Sequence, residues 1–246
     1  MTSSDHKQRA KKALSGKWGV AIGAFFIFSV VSGLTGMIPE DYSWLAPFIF
    51  ILLTAPLAVG YAWFFLELKR TPNPKIETLF ESFSKNYVRN TLTSVLVSVF
   101  TALWALLLIV PGIIKGLAYS MTFYIIKDHP EMTALEAITA SRKMMDGKKK
   151  DLFFLMLSFI GWFLIPLALY IAGGVTFTMA FVGDGSAALL TSSFIIFIIA
   201  FISTFAISIY VTPYYMTSLA VFYDDYAKLE SVESHLNEHD AAVHEE

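Results

Sequence analysis

Residues 152–183 read LFFLMLSFIGWFLIPLALYIAGGVTFTMAFVG and contain no charged side chain. A helix crosses the hydrocarbon core of a bilayer with roughly 20 apolar residues, so this stretch is long enough to span a membrane. Four more charge-free stretches reach that length, at residues 18–39, 43–66, 91–114 and 185–223. Because the chain is also 56% hydrophobic and only 15% charged, we predict an integral membrane protein built from helices.

The positive charges indicate which side of the membrane each connection occupies. Residues 1–17 and 67–90 each carry five Lys or Arg residues, residues 127–151 carry six, and Lys228 follows in the tail. Only Lys115 lies elsewhere. Because segments rich in Lys and Arg resist translocation, we predict that these segments and both termini are cytoplasmic.

These observations predict an all-α, polytopic membrane bundle of six transmembrane helices in three hairpins. Pro111-Gly112 and Gly173-Gly174 are turn signals that divide the longer apolar stretches. The predicted helices cover residues 18–38, 44–66, 91–110, 112–127, 152–172 and 187–223. The fourth is short for a span, so a re-entrant course for residues 111–127 stays open as an alternative. Residues 1–226 form one predicted domain, and the acidic residues 227–246 are typical of a solvated, disordered cytoplasmic tail.

Two cytoplasmic connections have the apolar spacing of amphipathic helices. The first apolar face comprises Ile76, Leu79, Phe80, Phe83 and Tyr87, and the second comprises Met132, Leu135, Ile138 and Met145. Such helices lie in the membrane interface or serve as ordinary connectors that cap the bundle. The pattern fits both.

The three inward-running helices share a weak internal similarity. Each contains a proline, and towards its end aromatic residues are followed by an acid. The prolines are Pro56, Pro111 and Pro213, and the acids are Glu67, Asp128 and Asp224. We take this as a hypothesis that one hairpin was triplicated, although aromatic residues also mark any membrane interface.

Five separated motifs resemble a known family. They are RAKKALSGKWG at residues 9–19, PGIIKGLAYSM at 111–121, ALEAI and SRKMMDG at 134–147, DLF and LSFIGW at 151–162, and PYY and FY at 213–223. In this order they resemble a family of bacterial integral membrane proteins catalogued as domain of unknown function nine-seven-five. The resemblance covers about residues 5–226 and implies a membrane fold, but no activity. The segment from residue 174 to residue 209 is longer than the resemblance to that family leads us to expect.

Lys115 and four tyrosines are the candidate functional or lipid-contact residues. Because a charge within a span is costly, Lys115 either faces a functional interior or extends to the outer surface near the predicted hairpin tip. Tyr119 and Tyr124 follow it on one helix, and Tyr214 and Tyr215 directly follow Pro213 on the last. Such polar residues line a cavity or form hydrogen bonds between helices.

The residues that most enzyme chemistry requires are missing. The chain has no cysteine and no phosphate-binding GxxxxGK[ST] motif. The HLNEH sequence at residues 235–239 matches a zinc-protease pattern, but it lies in the charged tail, where nothing around it builds a site. We therefore expect no catalytic residues, no metal, no cofactor and no nucleic-acid partner. The basic residues 148–150 favour contact with anionic lipids.

The sequence thus favours a non-enzymatic plasma-membrane scaffold or envelope-associated accessory protein. Its expected partners are the lipid bilayer, anionic lipids at the cytoplasmic face and another membrane protein. The alternative is a transporter of small solutes or lipids, with a path between the fourth and sixth helices and Lys115 at its outer mouth. An intramembrane enzyme that acts on lipid is a third, weaker hypothesis.

Overall fold

The computed structural model describes residues 2–183 and 186–244, and within these ranges the chain is helical without strands. The α-helices are α1 (Ser3–Leu14), α2 (Trp18–Gly33), α3 (Ala46–Ile49), α4 (Ala55–Arg70), α5 (Glu81–Ser84), α6 (Tyr87–Leu107), α7 (Ile109–Tyr119), α8 (Thr122–Asp128), α9 (Ala134–Met144), α10 (Lys149–Ile160), α11 (Leu164–Val182) and α12 (Ala187–His244). Short 3₁₀ turns lie at Leu34–Met37, Glu40–Leu45, Ile76–Phe80 and Gly161–Phe163, and Phe50–Thr54 forms a π-helical turn before α4.

Five helical runs in the described ranges are long and apolar enough to cross a membrane. They are Glu40–Arg70, Tyr87–Leu107, Ile109–Asp128, Lys149–Val182 and Ala187–Lys228. A sixth is reached if α1 and α2, which meet at a bend of 99°, count together as one span. We call residues 18–70 the first hairpin, 87–128 the second hairpin and 149–228 the third hairpin.

The hairpin turns differ from those predicted. The predicted break at Gly173-Gly174 is wrong, because α11 continues through both glycines to Val182. Gly173 instead lets α12 approach, since a Cβ there would lie 2.9 Å from the Phe197 ring. The second hairpin turns at the extended residue Leu108, and Pro111 lies in the first turn of α7, where a missing N–H costs nothing.

Other helix bounds also shift. The first predicted helix, 18–38, becomes α2 followed by a 3₁₀ turn, and the predicted 112–127 helix becomes α7 and α8 with a break at Ser120 and Met121. The helix predicted at 187–223 extends to His244 as α12. These differences follow from tertiary contacts, which stabilise or interrupt a helix independently of its apolar length.

The basic N-terminal segment forms a helix that the apolar pattern does not reveal. Thr2 and Asp5 form a reciprocal capping box at the start of α1. His6, Ala10 and Leu14, spaced four residues apart, are buried on one face of this helix. α1 therefore packs against the rest of the protein, and its most extensive contact is with α12.

The buried core lies where α4, α8 and α12 pack together. Its largest fully buried side chains include Phe64, Phe65, Tyr124, Phe222 and Tyr223, from α4, α8 and α12. The hairpin tips, in contrast, expose apolar side chains, with Leu106 86% and Val182 83% exposed. One end of the bundle is thus packed like a soluble protein, and the other leaves its apolar surface to the surroundings.

Candidate functional site

Arg70 joins the ends of three helices. It is the last residue of α4, and its two terminal nitrogens each lie 2.7 Å from an oxygen of Asp128, at the end of α8. Its Nε also donates to Asp224 on α12, at 3.0 Å. This two-pronged geometry is the strongest arrangement available to an Arg–carboxylate pair, so Arg70 holds the three helices in a fixed relation.

Neighbouring side chains extend this contact into an ionic cluster. Asp224 also pairs with Lys69 and Lys228, and the Tyr223 hydroxyl donates to Asp128 at 2.9 Å. We define the ionic cluster as Lys69, Arg70, Asp128, Tyr223, Asp224 and Lys228. Nearby, Glu67 accepts a hydrogen bond from Thr78 at 2.5 Å and faces Lys127 at 3.9 Å.

The acids of the internal similarity therefore come together. Asp128 and Asp224 share Arg70, and Glu67 contacts the lysine that precedes Asp128. The sequence contained this signal, because all three acids follow aromatic residues near the ends of the helices that were predicted to run inward. It did not reveal that Arg70 would bridge them, since that depends on how the helices pack.

The same end of α12 anchors the N-terminal helix. Arg9 pairs with Asp225, and His6 Nδ1 lies 3.3 Å from an oxygen of that carboxylate. His6 is 1% exposed, and its Nε2 has no hydrogen-bond partner among the described residues. Burial lowers the pKa of His6 below its usual 6.5, although Asp225 opposes the shift. His6 is therefore neutral at physiological pH in the folded protein.

The chemistry of this region is that of a structural contact. Each acid of the ionic cluster is paired with a cation, so its carboxylate oxygens are already engaged. Within the described residues, no group of three His, Asp or Glu side chains could hold a metal ion. The side chains of the HLNEH motif at residues 235–239 lie outside the described part of the structure.

A second feature is a basic cavity of about 350 Å³ beside α7. Its charged walls are Lys115, Arg142, Lys143, Asp146 and Lys149, and its other walls are Ile114, Ala118 and Thr139. Lys149 pairs with Asp146 at 3.2 Å. We call this the basic cavity.

The structure places Lys115 beside α9 and the start of α10. Its neighbours in the basic cavity, Arg142, Lys143 and Lys149, belong to a segment that the charge pattern predicts to be cytoplasmic. Its ammonium lies 4.7 Å from the centre of the Trp104 ring. The sequence could not reveal this grouping, because α9 must first fold back along α7.

The four candidate tyrosines occupy four different environments. Tyr119 packs with Ala118 and the α9 residue Ile138, whereas Tyr124 is buried and stacks on Tyr223 with ring centres 5.2 Å apart. The Tyr214 hydroxyl donates to the backbone oxygen of Lys7 at 3.0 Å. All three residues thus make packing or hydrogen-bonding contacts within the protein.

The fourth tyrosine, Tyr215, lines open space. With Met156 it borders a largely apolar cavity of about 460 Å³, walled also by α6 and α7, and a second of about 230 Å³ towards Phe159 and Phe163. The larger cavity lies between the second and third hairpins, and the smaller one lies within the third hairpin. The structure therefore separates Tyr215 from Lys115, which lies in the wall of a different cavity.

Comparison with known proteins gives one match. The family described as protein of unknown function (DUF975) matches residues 1–115 and 106–230, which together cover nearly the whole chain. No curated protein and no solved structure matches this chain.

Proposed function

The chain belongs to the DUF975 family, whose function is not established, and we propose from its geometry that it is a non-enzymatic membrane scaffold or accessory protein. It resides in the plasma membrane with both termini in the cytoplasm. The bilayer surrounds its hairpin tips, anionic lipids contact its cytoplasmic face, and another membrane protein is its partner.

The ionic cluster is the observation that carries this proposal. It joins α4, α8 and α12 through charge-assisted bonds, and Asp225 adds α1 to the same end of the bundle. Groups committed to such bonds hold helices together and are not available for proton transfer or nucleophilic attack. This arrangement supports a scaffold role, in which the protein holds surfaces in fixed positions.

The third hairpin provides the surface for a partner. Where α11 and α12 extend beyond the buried core, they mainly contact each other. One side of α12 there exposes Phe194, Ile198, Ile202 and Phe205. These residues are spaced by three or four positions, which is the pattern of a helix face. In a membrane this face packs against lipid or against a helix of the partner.

The second hairpin enters the membrane without crossing it under this proposal. Ile138 of α9 packs against Val97 and Phe100 on one arm and Ala118 on the other. Beyond this level each arm has roughly 8 residues, or about 12 Å of helix, against a hydrocarbon core of about 30 Å. Because α9 carries Arg142 and Lys143, we place it at the cytoplasmic surface, and residues 111–127 then follow the re-entrant alternative.

The first and third hairpins complete the arrangement. The run Glu40–Arg70 and the runs Lys149–Val182 and Ala187–Lys228 are long enough to cross, and α2 with its following 3₁₀ turn supplies the remaining span. We therefore propose four crossing segments and one re-entrant hairpin, in place of six full spans.

A photocrosslinking experiment tests the scaffold proposal. A photoreactive residue replaces Ile198 or Ile202 on the exposed face of α12, and a matched control replaces Leu229, beyond the apolar span. After irradiation of intact membranes, we expect Ile198 and Ile202 to capture one membrane protein reproducibly and the control to capture none. Capture of lipid alone at both positions would contradict a protein partner.

Transport is the second candidate, and the apolar cavity beside Tyr215 favours it. This cavity lies between α7 and α12, where the sequence suggested a path, but its walls suit a lipid chain better than an ion. In proteoliposomes, a transporter would move fluorescent phospholipid between leaflets, and Met156→Trp would block the movement by filling the cavity. The scaffold proposal expects no protein-dependent movement.

A further inference from the structure

The walls of the basic cavity carry four cations and one acid, Asp146. Of its four cations, Lys149 pairs with Asp146, whereas Lys115, Arg142 and Lys143 form no ion pair with an acid among the described residues. Three uncompensated cations around one small cavity repel one another. An anion bound there would relieve this repulsion.

Lys115 is held in place towards this cavity. It is half-buried in the described structure, and its ammonium lies over the Trp104 ring at 4.7 Å. A cation over an aromatic face is attracted to it without being neutralised. Lys115 is therefore oriented while keeping its charge available to a ligand.

The surroundings of the basic cavity are strongly apolar. The adjoining tip of the second hairpin exposes Leu106, Leu107, Ile109 and Val110 by 65–86%, and Ile114 forms part of the cavity wall itself. A ligand that fits both surfaces has an anionic head and apolar tails. Basic pockets between membrane helices on the cytoplasmic side bind phospholipid headgroups in this manner.

We propose that Lys115, Arg142, Lys143 and Lys149 form a binding site for the headgroup of an anionic phospholipid from the cytoplasmic leaflet. The phosphate lies among the cations, and the acyl chains lie along the exposed tip of the second hairpin. This site rests on the proposed membrane placement, because the re-entrant hairpin brings the cavity to the level of the lipid phosphates. It gives the general contact with anionic lipid a specific location.

Binding to the full-length protein tests the site. The protein is purified in a neutral detergent, and native mass spectrometry measures adducts of dioleoyl phosphatidylglycerol and dioleoyl phosphatidylcholine. The test variant carries Lys115→Gln, Arg142→Gln and Lys143→Gln. The matched control carries Lys11→Gln, Lys12→Gln and Lys75→Gln, which remove the same charge from exposed positions outside the cavity.

We expect the wild type and the control to bind phosphatidylglycerol in preference to phosphatidylcholine. Loss of a cation near anionic lipid weakens binding roughly fivefold, so the test variant should lose affinity on the order of a hundredfold. Lys115→Arg, which preserves the charge, should retain binding. Equal affinity in the test variant and the control would overturn the site, provided that both melt at the wild-type temperature.

Two further measurements separate the possible failures. Inorganic phosphate that binds with the same affinity as the lipid would identify a soluble anion as the ligand and would overturn the lipid assignment. Extraction of cell membranes with alkaline carbonate tests the placement itself. A protein that is released has no membrane placement, whereas a protein that stays inserted but shows no preference for phosphatidylglycerol lacks only the site.

Discussion

Gly112 occupies the closest approach between the two arms of the second hairpin. A Cβ at this position would lie 2.6 Å from Ala105 Cα, whereas a Cβ at Gly116, one turn away, would lie 3.5 Å from a Thr101 methyl group. A Cβ at 2.6 Å would force the two backbones apart, whereas 3.5 Å is an ordinary van der Waals contact. Gly112 and Gly116 have the GxxxG spacing that permits close helix approach, but only Gly112 lies at such an approach.

We predict that Gly112→Ala destabilises the protein by about 1–3 kcal/mol through overpacking. Gly116→Ala is the matched control and should be neutral or slightly stabilising, because alanine favours the helix. Thermal unfolding in detergent measures both. Equal melting temperatures for the two variants would contradict the observed approach of the helices.

His6 makes the attachment of α1 sensitive to acid. Burial holds its folded-state pKa below the unfolded value of 6.5, and the groups around it include Asp225 and Arg9. Because only the unfolded chain takes up the proton just below 6.5, the stabilisation is fully present above that pH. It is lost as the pH falls from 6.5 towards the lower folded-state pKa.

We therefore predict a larger loss of melting temperature between about pH 7.5 and about pH 5.5 in the wild type than in His6→Gln, which cannot titrate in this range. Release of α1 can be followed at the same time by its susceptibility to protease. A variant whose pH dependence equals that of the wild type would assign the effect to another group.

At the scale of elements, three joints share one backbone conformation. Gly16, Asn86 and Gly147 are the residues with positive φ in the described chain, at 76°, 55° and 72°. Each lies between a short helix and the first arm of a hairpin, joining α1 to α2, α5 to α6 and α9 to α10. This recurrence supports the triplicated hairpin, independently of the aromatic and acidic residues that suggested it.

We predict that Gly16→Ala and Gly147→Ala each cost about 1 kcal/mol, because a Cβ disfavours the left-handed conformation. Asn86→Gly should preserve stability, since glycine adopts this conformation freely. Gly174→Ala is the control, because its Cβ would meet open space within α11. Equal losses of stability in Gly174→Ala and in the Gly16→Ala and Gly147→Ala variants would contradict the explanation from positive φ.

The elements also show what the sequence could predict. Apolar runs indicated the membrane-length helices, because crossing is a matter of length and composition. The ends of these helices were predicted less accurately. In α11, for example, Gly173-Gly174 has the sequence of a turn but lies inside the helix, where Gly173 is a packing contact with α12. The grouping of Lys115 with Arg142 depends on how α9 folds back, and no local pattern encodes it.

At the scale of the whole molecule, Arg70 links three helices and has a clear control. Arg70→Ala should destabilise the protein by about 2 kcal/mol, since it leaves the buried Asp224 with fewer partners. Lys85→Ala removes the exposed pair with Glu81 and should cost less than about 1 kcal/mol. Unfolding by denaturant compares them, and similar losses would show that the ionic cluster does not hold the bundle together.

The arrangement of the whole chain across the membrane is the central claim, and the absence of native cysteine allows a direct test. Single cysteines replace Tyr42, Val182, Leu108 and Lys12, and intact cells are treated with a membrane-impermeant maleimide. We predict labelling at Tyr42 and Val182, labelling at Lys12 only after permeabilisation, and none at Leu108. Labelling of Lys12→Cys in intact cells would contradict cytoplasmic insertion, and labelling of Leu108→Cys would show that the second hairpin crosses.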